Sequence, residues 1–442
     1  MHILLVNQGD RASKRFIPWR LSAAGHRLDL LHWSPAVWDR EHFGRVMAVR
    51  FADWAGLAAA AGRAHDADPF DGVLCYDEAT VPIANDLARL LRLPAVSTHW
   101  GDAFRYKDRM RVAWEAAGLR VPRYRVLHRK TDLRPLATWR FPVVLKPTAM
   151  MGSRGVVKVE SFADLARCWH LPFDADEDMR IGDELWSMAE LFDIPQAALA
   201  EEYIAGPEFS AEGVVVDGAY HLVGITGKSS GGAPYFDEIG HVFPADNLPV
   251  PAEPVIGAVL EAAHRALGLC NGVTHTEFRV DDEGVCLMEL NARIPGGHIT
   301  ELVELVTGID LVEAAARVAC GALPAGELTS PPAGGTSACA AAVHLTAPRR
   351  CLGTRFRTAV VPDPRPARLL ATHLHVGAGD PIQAPRLSGG LHCALKVRER
   401  KHVRPHRRVP HRTQPMFGVA TLRQRWSFGN YGELARISHT AD

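Results

Sequence analysis

The chain has no excess charge of either sign. Its 50 Lys and Arg balance 50 Asp and Glu, so no global field draws it onto nucleic acid or an anionic membrane surface, and any polyanion has to be bound locally. The eight Cys are scattered, with no C-x-x-C and no zinc-like spacing, which argues against a disulfide framework or a structural metal site. The 21 His form no H-E-x-x-H or comparable ligand pair. The opening MHILLVNQGD turns polar after a short apolar core, too short for a signal peptide or a membrane span, so a cytoplasmic protein is expected. The first hundred residues lack G-x-G-x-x-G, which leaves no ground for a dinucleotide site. GITGKSS mimics a Walker loop, but its first required glycine would fall on Leu222. GKSSG fits the serine-hydrolase elbow around Ser229, yet Gly231-Gly232-Ala233-Pro234 does not make the helix that motif needs.

What is present is size and order. A chain of 442 residues buries a large core and still spares polar residues for a cleft, which favours an enzyme over a small binding module. HILLV, HRLDLLHW and FDGVLCYD read as strands separated by helical stretches, the last helix running from Thr80 to Leu93. Strands alternating with helices imply a parallel, doubly wound α/β unit over residues 1–103. KDRMRVAWEAAG places Met110, Ala113, Trp114 and Ala117 at helical spacing and closes on Gly118. FPVVLKP and GVVKVES read as strands flanking a glycine-bearing loop. LAEEYIAGPEFSAEGVVVDGAYHLVGIT reads as successive antiparallel strands. PAEPVIGAVLEAAHRALGL is an amphipathic helix, and LVELVTGIDLVEAAARVACG is read as core-forming helix. The linker-like SPPAGGTS opens a β-rich segment over 329–390. Residues 391–412 then carry eight Lys or Arg against one Glu, plus four His. The segment 391–442 is expected to be a solvated, disordered tail, the one part of the chain where nucleic-acid contact is conceivable.

The stretch CLMELNARIPGG sets Glu289, Asn291 and Arg293 at every second position. Gly284, ending Asp281-Asp282-Glu283-Gly284, suits a three-residue hairpin loop whose register puts Glu277 directly opposite Glu289, with Cβ atoms about 5 Å apart. Like charges so placed repel unless a cation sits between them or one stays protonated. Arg293 is a poor structural partner for Glu289, because two strand residues four apart are separated by roughly 13 Å at Cα. A hard divalent cation on Glu277, Glu289 and the Asn291 carbonyl solves the repulsion, with Mg²⁺ favoured and Mn²⁺ an acceptable substitute. Arg293 then forks onto the reacting phosphoryl or acyl group. Gly296 and Gly297 let backbone amides approach the same anion.

Upstream residues suit a nucleotide. Lys146 ends a strand before a loop with Gly152, Ser153 and Gly155, which folds over phosphates while the lysine neutralises them. Glu202, Tyr203 and Ile204 form a strand whose backbone reads an adenine edge, and Glu208 lies where a carboxylate accepts ribose hydroxyls. Lys107, at a helix start, is a further phosphate ligand.

In combination and order these features resemble the ATP-grasp family of carboxylate-amine ligases. The resemblance runs from about residue 1 to 390. It implies an α/β and α+β fold: an N-terminal doubly wound domain (1–103), a central two-subdomain ATP-clasping unit (104–328, lid subdomain about 142–204) and a small β-rich C-terminal segment. It implies that Lys107 and Lys146 are the nucleotide lysines, Gly152 to Gly155 the lid loop, Glu202 to Ile204 the adenine hinge and Glu208 the ribose carboxylate. Glu277, Glu289 and Asn291 match the magnesium ligands, and Arg293 the arginine that steadies the acyl phosphate. GITGKSSGGAPYFDEIGHVFP, THTEFRV, ELNARIPGGHI and HLHVGAGDPIQAP resemble the L-amino-acid ligase branch more closely, which joins two amino acids at the expense of ATP. That likeness makes Lys228 and His241, with His298 behind them, candidates for contact with phosphates and substrates. Two Met in TAMMGSRG depart from the smaller residues common in such lids, and the basic tail has no counterpart. The expected partners are small molecules, a carboxylate and an amine, with a homodimer as the default assembly. A carboxylase or purine-pathway-type synthetase of the same fold is the alternative, and a nucleotide-binding scaffold without turnover is the non-enzyme reading.

Overall fold

The structure is a computed structural model. It describes residues 1–7, 14, 16–34, 40–98, 105–129, 133–150, 152–174, 178–181, 184–187, 197–231, 236, 238–245, 248, 253–328, 338–345, 355–360, 368–374, 393–400 and 436–440. The chain opens with β1 (His2–Val6), α1 (Phe16–Ala23), β2 (Arg27–His32), β3 (Val46–Ala48), α2 (Trp54–Ala67), β4 (Gly72–Cys75) and α3 (Val81–Leu90). The four strands are parallel in the order β3-β2-β1-β4. Leu4 and Val6 enter one hydrophobic core and Ile3 and Leu5 another. A parallel sheet covered on both faces needs such an unbroken apolar strand. The chain runs from β1 to β2 and β3 on one side and returns from β3 to β4 on the other side of β1, so the strand order reverses between β1 and β4, and their carboxyl ends form the crevice where such sheets take ligands.

Next come α4 (Lys107–Ala116), β5 (Tyr124–Leu127), β6 (Val143–Pro147), β7 (Val157–Val159), α5 (Phe162–Cys168), β8 (Asp178–Ile181), β9 (Glu184–Ser187) and β10 (Ala198–Glu202). An antiparallel sheet, β5-β10-β6-β7, carries its own core, with Leu127, Leu145, Val157, Leu165 and Ala198 buried together; β8 pairs with β9.

The remaining elements are β11 (Glu208–Val216), β12 (Ala219–Ser230), β13 (Glu238–Phe243), α6 (Glu253–Ala266), β14 (Gly272–Asp281), β15 (Gly284–Asn291), α7 (Ile299–Thr307), α8 (Leu311–Ala319), β16 (Ala338–Leu345), β17 (Arg355–Val360), β18 (Arg368–Leu374), β19 (Cys393–Arg400) and β20 (Arg436–Thr440). An eight-stranded antiparallel sheet runs β15-β14-β11-β12-β13-β16-β19-β18, and β17 pairs with β20.

Three expectations need correction. The stretch read as one helix after Gly297 is two, because Gly308 takes a left-handed φ of 79° that ends α7, and the Asp310 side chain caps α8 by accepting from the Val312 and Glu313 amides. The basic segment is not wholly outside the fold: β19 lies between β16 and β18 in the large sheet. The remainder of that segment, apart from β20, lies outside the described residues.

The third correction concerns the β14–β15 hairpin. Asp281 pairs with Gly284, so the loop has two residues, Asp282 and Glu283, rather than three. Glu277 still faces Glu289, because a β-bulge at Met288 absorbs the difference. The bulge also switches the faces of β15. Leu287 enters the core, and so do Leu290 and Ala292. Without the extra residue Leu287 and Glu289 would share a face; with it, Glu289, Asn291 and Arg293 face the cleft.

Candidate active site

A cleft of about 290 Å³ opens between the N-terminal unit, the small sheet and the large sheet. One wall is acidic. Glu277 Oε1 lies 2.5 Å from Lys228 Nζ and 3.3 Å from His275 Nε2. Burial opposes its ionisation, but Lys228 and His275 hold it well below the usual carboxylate range. Glu289, directly across the hairpin, is the opposite case. Burial raises it, Lys107 counteracts this, and the nearby Glu78 and Glu277 push it further up.

The facing wall is basic. Lys107 Nζ donates to the Met150 carbonyl at 2.7 Å and sits 2.8 Å from Glu289 Oε1. Burial pushes Lys146 below the ordinary lysine value, opposed by Glu201 at 2.5 Å. Glu201, 2% exposed, also accepts from Arg111, which in turn donates to the Met288 carbonyl at 2.7 Å. Arg111 and Glu201 were not anticipated from sequence. They are 90 positions apart, and only the meeting of α4 with β10 unites them.

Arg293 follows β15 with its side chain 12% exposed, and its ion-pair partner is Glu78 at 3.4 Å, not Glu289. Glu78 stands just beyond β4, buried, and also binds Arg105 at 3.0 Å. Burial raises its pKa, but Lys107, Arg105 and Arg293 outweigh this and lower it. Sequence reasoning missed Glu78. The available signal was an acid directly after a parallel strand, at the end where such sheets bind ligands. Lys14, 3.0 Å from Asp77, is another unanticipated residue on this side of the cleft.

Gly296 and Gly297 line the cleft below Arg293. Gly297 has φ 59°, and a Cβ there would lie 2.4 Å from the His241 ring. His241 is 1% exposed, with Nδ1 2.9 Å from the Gly297 carbonyl. It stands behind the glycine rather than on the cleft wall where it was expected. His298, left-handed at φ 63°, turns its ring to Glu301 at 3.2 Å. Lys228 does line the cleft, set among Glu277, Glu238 at 2.8 Å and Glu208 at 3.3 Å; burial opposes its charge, yet the three carboxylates raise it well above the ordinary value.

Glu208 is also held by Arg279 at 2.7 Å. Glu202, Tyr203 and Ile204 border the same cleft; the Glu202 amide donates to the Arg123 carbonyl and the Ile204 carbonyl accepts from Arg279. In the loop before β7, Gly152, Ser153 and Gly155 have φ of 63°, 57° and 70°. Gly152 and Gly155 take left-handed conformations that glycine adopts without a Cβ penalty, in the turn that leads into β7. Gly152 and Ser153 reach the cleft.

These residues fit a divalent cation. The Asn291 Oδ1, in a side chain 3% exposed, is a buried acceptor without a hydrogen-bond donor. Beside it, Glu289 is kept from ionising freely by its burial and its acidic neighbours. A hard cation supplies what both lack. Among the described residues no group of three His, Cys, Asp or Glu is placed to hold a metal, so any ion here depends on the amide and on ligand oxygens to complete its shell.

A family model described as the ATP-grasp domain matches residues 139–301, from just before β6 to the start of α7. Those residues have the ATP-grasp fold. An uncharacterized protein of Sinorhizobium fredii is 28% identical over 296 residues, 66% of this chain and 58% of that protein. A D-alanine–D-alanine ligase of Geobacter sulfurreducens is 32% identical over 187 residues, 41% of this chain and 52% of the ligase. The chain thus spans 58% and 52% of the lengths of these relatives. The solved structure of an L-amino acid ligase from Bacillus licheniformis aligns with a TM-score of 0.71 at 20% identity, covering 90% of this chain and 93% of that one. The ATP-grasp domain and its flanking units therefore share that architecture. Among the described residues no helix is long and apolar enough to cross a membrane.

Proposed function

We propose that the chain is an ATP-dependent carboxylate-amine ligase. It activates an amino acid, or another small carboxylate, as an acyl phosphate and joins it to an amine, with a second amino acid as the favoured acceptor. The supporting observation is the bulged strand that brings Glu289 opposite Glu277 and carries Asn291 and Arg293 on along the same cleft face, opposite Lys107 and Lys146. The ligase relatives and the L-amino acid ligase fold agree with this reading.

A carboxylate resists attack by an amine because its leaving group would be an oxide. Phosphorylation replaces that group with phosphate. The protein's task is to offset charge and hold geometry, not to supply a nucleophile. Glu277, Glu289 and Asn291 would hold Mg²⁺, which supplies charge neutralisation at the phosphates. Lys107 and Lys146 offset the remaining phosphate charge from the facing wall. Arg293, oriented by Glu78, holds the substrate carboxylate and then the oxyanion of the tetrahedral intermediate. The amides at Gly296 and Gly297 face the same anion. The loop carrying Gly152 to Gly155 closes over the phosphates and excludes water, which would otherwise hydrolyse the activated acyl group.

A screen of amino-acid pairs for ADP release, with mass spectrometry of the products, tests the proposal. Release that requires both a carboxylate and an amine, with an amide of the summed mass less water, is the expected result. Bicarbonate-dependent release would mark a carboxylase instead, and nucleotide binding with no turnover for any pair would mark a scaffold.

A further inference from the structure

Behind the acidic wall lies a buried group that the proposed chemistry does not use. Glu212, in the middle of β11, is 0% exposed and does not border the cleft. Its Oε1 accepts from Ser210 Oγ at 2.6 Å and from Thr226 Oγ1 at 3.1 Å; its Oε2 lies 2.9 Å from His275 Nδ1. The other ring nitrogen of His275 is 3.3 Å from Glu277 Oε1, the oxygen that also meets Lys228. The imidazole is thus clamped between two carboxylates, one fixed by two hydroxyls deep in the sheet and one on the cleft wall. Both donors meet Oε1 of Glu277, and among the described residues none meets Oε2.

We propose that Glu212 and His275 form a positioning pair that locks the rotamer of Glu277, so that Oε2 is presented to the divalent cation and the metal affinity of the site depends on a carboxylate outside the cleft. This rests on the reading of Glu277 as a metal ligand. A carboxylate free to rotate loses conformational entropy on binding a cation, and a hydrogen-bonded one has lost it already. Removing such outer partners costs about 10- to 100-fold in metal affinity in sites where it has been measured.

The test is direct Mn²⁺ binding, followed by electron paramagnetic resonance on the full chain with a non-hydrolysable ATP analogue, together with the Mg²⁺ dependence of turnover. His275→Gln keeps an amide donor near the position of Nε2, whereas His275→Asn keeps one only near Nδ1. The expected result is that H275N and E212Q weaken Mn²⁺ binding about 10- to 100-fold while H275Q stays within about threefold. Turnover in H275N should return toward the original value at saturating Mg²⁺, since a positioning residue alters the metal requirement rather than the chemistry. Circular dichroism and cooperative unfolding establish which variants fold. If H275N does not, the comparison of E212Q with H275Q decides. Folded H275N or E212Q binding Mn²⁺ as the original chain does, or H275Q as weak as H275N, would overturn the proposal. Glu277→Gln separates the two levels. Unchanged Mn²⁺ affinity in E277Q sinks the metal reading itself, whereas loss in E277Q with none in H275N sinks only the positioning role.

Discussion

Replacing Glu201 by Gln probes the basic wall of the cleft. Glu201 is 2% exposed and sits 2.5 Å from Lys146 and 2.9 Å from Arg111. Burial is the largest influence on Lys146 and lowers its pKa; Glu201 resists, while Arg111 and Lys107 add to the lowering. In E201Q the resisting charge is gone, so the lysine deprotonates at lower pH than before. A lysine with a depressed pKa is charged only below that value. Nucleotide affinity in E201Q should therefore weaken as pH rises and recover as it falls, with the original chain less sensitive. A hydrogen bond from a charged donor is worth about 1.5–3 kcal/mol, or roughly 10- to 100-fold in Kd once Lys146 is neutral. Leaving two buried cations without their partner costs roughly 3–5 kcal/mol of stability, so thermal unfolding must be measured in parallel. The assay is calorimetric titration with a non-hydrolysable ATP analogue and Mg²⁺ from about pH 6 to about pH 9. A folded E201Q that matches the original affinity across that range would refute the role of Glu201 in keeping Lys146 charged.

Arg293→Ala should lower kcat for amide formation by about 10²- to 10³-fold while ATP-analogue affinity is retained; a parallel fall in ATP affinity would contradict the assignment of Arg293 to the acyl group. Gly297→Ala introduces a Cβ 2.4 Å from the His241 ring at a left-handed backbone position, which predicts a lowered unfolding temperature and impaired turnover. His241→Ala in the same chain should restore part of the stability, and no recovery would mean that backbone strain alone is responsible. His264, bonded to Leu260 and Thr274, is held near pKa 4 by burial against 6.5 in the unfolded chain. The unfolded state then binds the extra proton, so stability should fall by up to about 3 kcal/mol as pH drops from 6.5 toward 4. His264→Gln should flatten that part of a pH series of unfolding temperatures, and an unchanged slope would place the acid sensitivity elsewhere.

The wall of carboxylates was readable in the sequence because strand residues alternate and polar ones at every second position demand an explanation. Even there the route differed. The pairing of Glu277 with Glu289 was reached through a three-residue loop, whereas the structure has a two-residue loop and a bulge at Met288. The hint was local: Leu287 and Leu290 are both apolar and three apart, which no regular strand accommodates on one core face. Arg111 with Glu201, and Arg293 with Glu78, were beyond local reasoning. Each pair joins different elements, the second across 215 positions, and periodicity carries no information about which helix a strand will meet. At His241 the likeness to the L-amino-acid ligase branch pointed to contact with phosphates or substrates, whereas the side chain is buried and does not line the cleft. Its burial behind Gly297 depends on where the chain after Arg293 turns.

Arg111 has a mechanical consequence. Its guanidinium donates through Nε to Glu201 on β10 and through Nη2 to the carbonyl of Met288, the bulge residue of β15. One rigid, planar group therefore spans from the small sheet to the large one, and it rides on the same helix as Lys107. It works as a fixed caliper between the jaws. The spacing of β10 from β15 is set at this point by the dimensions of one guanidinium, and Lys107, one turn earlier on the same helix, is held at a fixed reach from Glu289.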